Sequence, residues 1–303
     1  NDTRAVYPIR IDPTFSDADW VSLNPGIPGA NGTISAIVAD GSGNVYVGGY
    51  FSFAGTVSAN RIAKWDGSSW SALGSGMDGA VLALAVSSGS LYAAGEFSMA
   101  GGVEANRIAK WDGSAWSSLG SGMDGHVRAL AVSGNDIYAG GSFYTAGGVT
   151  VNRIARWNGS AWSALGSGMN NDVYALAVSG SDLYAGGYFY RAGGVLAFRI
   201  AKWDGNTWSA LGGGLSGSVH ALTVAGGNLF AGGTFTKYIL KWDGNTWSAL
   251  GTGMTSSSTS GGVYALAVNG GDLYAGGRFT SAGGVGANNI AKWDGSTWSA
   301  LAK

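Results

Sequence analysis

Side chains able to do acid–base, nucleophilic or metal chemistry are few and scattered in this sequence. The only two histidines, His126 and His220, stand far apart and share no spacing that would bring imidazoles to one metal. With no cysteine there is no disulfide, no thiolate ligand and no thiol nucleophile. Asp66, Asp112, Asp204, Asp243 and Asp294 each precede a glycine, the pattern of a turn in which the carboxylate accepts backbone N–H groups. Asp40-Gly-Ser-Gly-Asn44 has the outline of a calcium loop but lacks its acidic density and closing glutamate, so it reads as a longer turn. No nucleophile elbow, phosphate-binding glycine motif or paired acid and base is present. The expectation is a non-enzymatic protein with no cofactor and no metal. A hydrolase or lyase would need carboxylates or histidines assembled from distant segments.

The cations are equally dispersed. Arg61 and Lys64, Arg107 and Lys110, Arg153 and Arg156, Arg199 and Lys202, then Lys241 and Lys292 account for ten of the 17 basic residues, and the formal net charge is -1. A nucleic-acid surface gathers such charge on one face, whereas charge spaced along outer strands blunts edge pairing. Neither nucleic acid nor an anionic membrane is an expected partner, and no apolar run approaches the roughly 20 residues of a membrane-spanning helix.

The elements behind this spacing repeat. Trp70, Trp116, Trp162 and Trp208, each followed by Ser, are separated by 46, 46 and 46 residues, and Trp247 and Trp298 follow after 39 and 51. Each unit holds four short β-type runs, here a to d, as in Val173–Val178, Leu183–Phe189, Arg199–Trp203 and Trp208–Leu211. Hairpin-type turns such as Ser179-Gly-Ser-Asp182 and Asp204-Gly-Asn-Thr207 join a to b and c to d, so the runs are antiparallel neighbours. Runs a and b are apolar without clean alternation, which requires both faces of the sheet to be covered. Run a is rich in alanine, suited to a crowded centre. All thirteen tryptophans fall at the end of c or the start of d. These features predict an all-β, six-bladed β-propeller of four antiparallel strands per blade, closed into one domain over residues 1–303. A solenoid fits four hairpin-linked strands less well.

Phe143, Ala146-Gly-Gly148, Asn152-Arg-Ile-Ala155, Trp157-Asn-Gly159 and Trp162-Ser-Ala-Leu-Gly166 resemble the repeats of the cortical protein marker for cell polarity family. The Gly-Gly then Trp layout is similar to kelch repeats, and Ile11–Phe15 through Asn44–Gly49 is similar to the bacterial delta-sixty propeller repeat. The resemblance covers nearly the whole chain and implies an extracellular or cell-surface propeller, without transferring a ligand. Kelch-like rings include the galactose oxidase fold, whose Cys–Tyr cofactor cannot form without cysteine. The start at Asn1 without Met agrees with an expectation of secretion. The sequons at Asn1, Asn31 and Asn158 arise by chance in a Ser/Thr-rich, Gly-rich chain and carry little weight.

The d-like run occurs once more than the others, because Asp19-Trp-Val-Ser-Leu23 precedes the first unit, within an extension of residues 1–24. This surplus strand packs locally or pairs with another molecule's sheet, a route to self-association. Comparing units separates scaffold from variation. The second residue of run a reads Ser35, Leu82, Arg128, Tyr174, His220 and Tyr264; the residue before the Phe that closes run b reads Tyr50, Glu96, Ser142, Tyr188, Thr234 and Arg278. In antiparallel neighbours these positions share one end of the blade. The length changes emerge there too: a shortened b-to-c connection at Thr236-Lys237 and an insertion at Thr255–Gly261. Variable loops on a rigid scaffold carry function, so these twelve residues form the candidate site for a protein or a glycan. The tyrosines suit a lectin.

Overall fold

The computed structural model describes residues 29–301, and among them every regular element is a β-strand. The a to d runs form six four-stranded antiparallel sheets, each in the spatial order a-b-c-d. Blade 1 comprises Thr33–Ala39, Val45–Tyr50, Ile62–Trp65 and Trp70–Ala72; blade 2 comprises Val81–Ser87, Ser90–Gly95, Ile108–Trp111 and Trp116–Ser118. Blade 3 comprises Val127–Ser133, Asp136–Gly141, Ile154–Trp157 and Trp162–Ala164; blade 4 comprises Val173–Ser179, Asp182–Gly187, Ile200–Trp203 and Trp208–Ala210. Blade 5 comprises Val219–Ala225, Asn228–Gly233, Ile239–Trp242 and Trp247–Ala249; blade 6 comprises Gly262–Asn269, Asp272–Arg278, Ile290–Trp293 and Trp298–Ala300. The fold class is that of a β-propeller. The surplus d-like strand and the extension that carries it lie outside the described residues.

The described residues fall into two compact units, 29–164 and 165–301, each holding three blades. Within the first, strand a of blade 2 packs against strand a of blades 1 and 3; within the second, strand a of blade 5 does the same with blades 4 and 6. Within each unit, strand a is therefore where neighbouring blades meet, and its alanines are what allow that approach.

The tryptophan columns pack blade on blade. The last residue of c and the first of d are direct cross-strand partners, Trp111 with Trp116 for example. Their rings lie 5.2–5.4 Å apart at tilts of 48–56° in all six blades, a favourable aromatic arrangement. Burying an indole N–H without an acceptor is costly. Among the described residues Trp65 Nε1 is left without one, but five tryptophans of the d column each find a carbonyl. Trp116 Nε1 donates to the Leu73 carbonyl at 2.9 Å and Trp162 Nε1 to that of Leu119. In the second unit Trp208, Trp247 and Trp298 donate to Leu165, Leu211 and Leu250.

The c-to-d turns follow the sequence reading. Asp66, Asp112, Asp204, Asp243 and Asp294 each accept the N–H groups two and three residues on, at 2.7–2.8 Å. Asn158 does the same in blade 3. The amides of Ala115 and Ser114 favour the carboxylate and lower Asp112 to about 2. Asp40 accepts from the amides of Ser42 and Asn44 and the Asn44 side chain, making a local turn.

The b-to-c connection is more ordered than the sequence reading provides for. In five blades it is a two-residue hairpin: Phe53–Ala54 with Val57–Ser58, Met99–Ala100 with Val103–Glu104, Thr145–Ala146 with Val149–Thr150, Arg191–Ala192 with Val195–Leu196, and Ser281–Ala282 with Val285–Gly286. A side chain from the segment before strand a holds it, since Asp78 accepts the amides of Ser98 and Met99, Asp124 those of Tyr144 and Thr145, and Asn170 those of Tyr190 and Arg191.

Candidate functional site

The varied residue of strand a sits on a β-bulge in every blade. In blade 3, Val127 pairs with Gly141 and Ala129 with Gly140, leaving Arg128 opposite nothing. The same skip falls at Ser35, Leu82, Tyr174, His220 and Tyr264. A bulge turns its extra side chain out of the regular pleat, so one backbone device presents six different residues. The device has a steric requirement in the facing strand. A Cβ on Gly49, Gly95, Gly141, Gly187, Gly233 or Gly277 would lie 2.0–2.1 Å from a carbonyl oxygen at the start of strand a. That carbonyl accepts the N–H of the second variable column where Glu96 bonds Ala80, Ser142 bonds His126, Tyr188 bonds Asp172 and Thr234 bonds Ser218, at 2.8–3.0 Å. Both variable columns are thus fixed at one end of each blade by backbone hydrogen bonds alone.

In the first unit this end carries a polar cluster. The Tyr50 phenol lies against the Glu96 carboxylate; its pKa is raised by burial first, then by the charge and hydrogen bond of Glu96, with Arg128 opposing. Glu96 Oε1 is 3.4 Å from His126 Nδ1. His126, which sequence reasoning left outside the site, belongs to this cluster; it directly precedes strand a, a proximity no repeat comparison displays. Tyr50 also borders an open recess of ≈ 260 Å³ with Asn31, Phe51, Ser52 and Arg61. Ser35, Leu82 and Ser142 occupy the corresponding places in their blades.

In the second unit the same positions carry an aromatic ladder. Tyr174 and His220 stack with centroids 5.2 Å apart and planes within 2°, and Tyr264 closes on the other side of His220 at 5.1 Å and 56°. Burial lowers the His220 pKa, so the imidazole is neutral at pH 7. The insertion folds onto this end: Tyr264 Oη donates to the Ser260 carbonyl at 3.1 Å, and Arg278 Nη1 donates to Ser260 Oγ at 3.3 Å. Tyr188, 49% exposed, lies under the Arg199 guanidinium at 4.6 Å. Thr234 is exposed between them in sequence.

One reading is corrected here. Arg61, Arg107, Arg153 and Arg199 are not exposed charges on an outer strand. They precede strand c in the left-handed region, at φ 63–70°, and their guanidinium groups turn back to the bulge end. Arg61 donates to the Met77 carbonyl, Arg107 to Phe97, Arg199 to Tyr188 and Phe189, and Arg153 to the Tyr144 hydroxyl while stacking on its ring at 4.3 Å. The cations within strand c do not guard an open edge either, since c lies between b and d; Arg156, Lys202 and Lys292 pair with Asp136, Asp182 and Asp272 at the start of strand b at 2.8–3.1 Å. Among the described residues no three His, Cys, Asp or Glu side chains gather as metal ligands.

The family of the Rax2 C-terminal beta propeller domain matches the chain at residues 16–131 and 118–270. No curated protein matches it by sequence. Among solved structures, the computationally designed Ika8 protein is similar with a TM-score of 0.51 at 16% identity, over 88% of this chain and 85% of that one. Two structures of the extracellular domain of BT4673 from B. thetaiotaomicron are similar with TM-scores of 0.59 and 0.58 at 13% identity. They match 90% of this chain, which spans about a third (34%) of their length. At these identities the likeness is one of fold.

Proposed function

The chain belongs to the Rax2 C-terminal β-propeller family, and from that premise we propose that it is an extracellular or cell-surface recognition module, non-enzymatic, that binds a protein partner at the bulge end of its blades. The observation that carries this reading is that the bulge residue and the residue at the end of strand b form a different pair in every blade, while the bulge that presents them recurs in all six. A scaffold that repeats its geometry while changing the group it displays is built for surface recognition rather than for one reacting centre. The extracellular setting of BT4673 supports the location.

The test is a variant with Arg128, Tyr174, His220 and Tyr264 all replaced by alanine. Arg128, Tyr174 and His220 are half-buried and Tyr264 is exposed, so the four truncations together are expected to cost about 2 kcal/mol. The variant is therefore expected to keep a cooperative transition about 4–8 °C below the parent and to lose the partner captured by crosslinking from a cell-surface fraction. Retained capture sinks the reading; a collapsed fold would make the column structural.

A second reading, a lectin, is favoured by the exposed rings of Tyr50, Tyr188 and Tyr264, which suit stacking on sugar faces. A glycan array probed with parent and variant separates the two, since only a lectin gives spots that the substitutions erase.

A further inference from the structure

The b-to-c hairpin of blade 4 breaks the pattern of its repeats in one direction. Where the other blades carry Ser58, Glu104, Thr150 and Gly286, it has Leu196; where they carry Asn60, Asn106, Asn152 and Asn288, it has Phe198. Tyr190 stands where blades 1, 2, 5 and 6 have Ser52, Ser98, Thr236 and Thr280. None of the three is buried: Tyr190 is 48%, Leu196 52% and Phe198 47% exposed, with Val195 and Tyr188 exposed beside them. Single apolar residues on a surface need no explanation, but five exposed ones (Tyr188, Tyr190, Val195, Leu196 and Phe198) within residues 188–198 do.

The patch has displaced a structural interaction. Asn60 and Asn106 donate from Nδ2 to the carbonyls of Ser75 and Ser121, tying the hairpin to the next connection. Phe198 has no such donor, so the exposed ring stands in place of a hydrogen bond that the fold uses in blades 1 and 2. The next blade of the same unit has no hairpin, its b-to-c connection running from Phe235 directly to Ile239.

Charge decides the occupant. Residues 188–199 contain Arg191 and Arg199 and no carboxylate. The residue that holds the hairpin is Asn170, where blades 2 and 3 use Asp78 and Asp124. Arg191 is exposed, fixed by a hydrogen bond to the Gly194 carbonyl at 2.9 Å, and Arg199 lies over the Tyr188 ring. Two copies meeting through this face would set arginines against arginines, which is unfavourable.

We propose that the blade 4 hairpin is the docking surface for an acidic polypeptide segment with large apolar side chains, its carboxylates meeting Arg191 and Arg199 and its apolar groups covering Tyr190, Leu196 and Phe198. This inference stands beside the bulge-column reading and uses different residues.

The test uses a fluorescein-labelled peptide alternating Asp with Leu and Phe, and its twin with Lys for Asp, titrated with the full chain by fluorescence anisotropy. The acidic peptide is expected to bind at least about tenfold more tightly than the basic one. The triple substitution Tyr190→Ser, Leu196→Thr, Phe198→Asn installs residues that other repeats already carry, so the variant folds. It is expected to weaken the acidic peptide at least about tenfold, and Arg191→Thr to weaken it less and to flatten its salt dependence. The bulge-column variant is expected to bind the peptide as the parent does. Equal affinity for the two peptides, unchanged binding by the triple variant, or loss only in the bulge-column variant would overturn the assignment. So would a concentration-dependent dimer in sedimentation that the triple substitution abolishes, which would make a second copy the occupant.

Discussion

The two ends of each blade solve the same problem in opposite ways. At the c-to-d turns, a side chain satisfies the backbone: Asp66, Asp112 or Asn158 accepts two N–H groups, so the residue type is held nearly constant. At the bulge end, the backbone satisfies itself. Ser142 N–H bonds the His126 carbonyl and Gly141 N–H that of Arg153, and the bulged Arg128 is left to its side-chain contacts. Sequence freedom therefore appears where main-chain hydrogen bonding is already closed by main chain. The price of that freedom is paid by one glycine per blade.

Substituting that glycine is the largest expected break in the contrast. A Cβ on Gly187 would lie 2.1 Å from the Asp172 carbonyl oxygen, closer than any side chain tolerates, so Gly187→Ala must dissolve the bulge or shift the strand. The expected cost is about 3 kcal/mol or more. Gly180, at the opposite end of the same blade, has φ +60° and no atom within 4 Å of the added carbon; Gly180→Ala should cost about 1–2 kcal/mol from the left-handed backbone alone. Urea unfolding of the two variants decides, and equal losses would show that the bulge imposes no steric demand. Between them falls Trp208→Phe, which keeps most of the buried ring but strips the Leu165 carbonyl of its 2.9 Å donor. A loss of about 1–3 kcal/mol is expected, and a loss under about 0.5 would mean that the carbonyl finds water instead.

The same contrast explains what the sequence made legible. The tryptophan columns, the Asp-Gly turns and the antiparallel order of a to d are local or strictly periodic, so the repeat alone revealed them. The pairing of both variable columns at one end also followed from strand direction. The bulge was not readable, because it is a two-against-one count across strands, and Arg128 looks in sequence like an ordinary strand residue. Arg61, Arg107, Arg153 and Arg199 were misplaced for a related reason: nothing in Arg-Ile-Ala announces a positive φ, and only the fold turns those guanidinium groups toward the bulge. Phe198 and Leu196 were visible as departures from their columns but gained meaning only once their exposure was known.

The smallest effect is also the one in which the two ends can be told apart by pH. Both lower a pKa, for opposite physical reasons. At the turn end, amides stabilise the charged form of the aspartates; at the bulge end, burial penalises the charged form of His220. In each case the unfolded chain takes up protons first, so stability falls as pH falls. The windows differ. The His220 contribution is complete above its unfolded value of about 6.5 and declines as pH drops from there toward the lowered folded value. The aspartate contribution is complete above about 4 and declines as pH falls through the depressed values, near 2 for Asp112. A plot of melting temperature against pH should therefore show two separate shallow steps. His220→Phe, which keeps a ring beside Tyr174, should remove the upper step and leave the lower one. Asp112→Asn, the residue type already used at Asn158, should make the lower step shallower and leave the upper one. If His220→Phe leaves the slope between pH 7 and 5 unchanged, the imidazole is not held neutral by burial in the aromatic ladder, and the ladder is open to water.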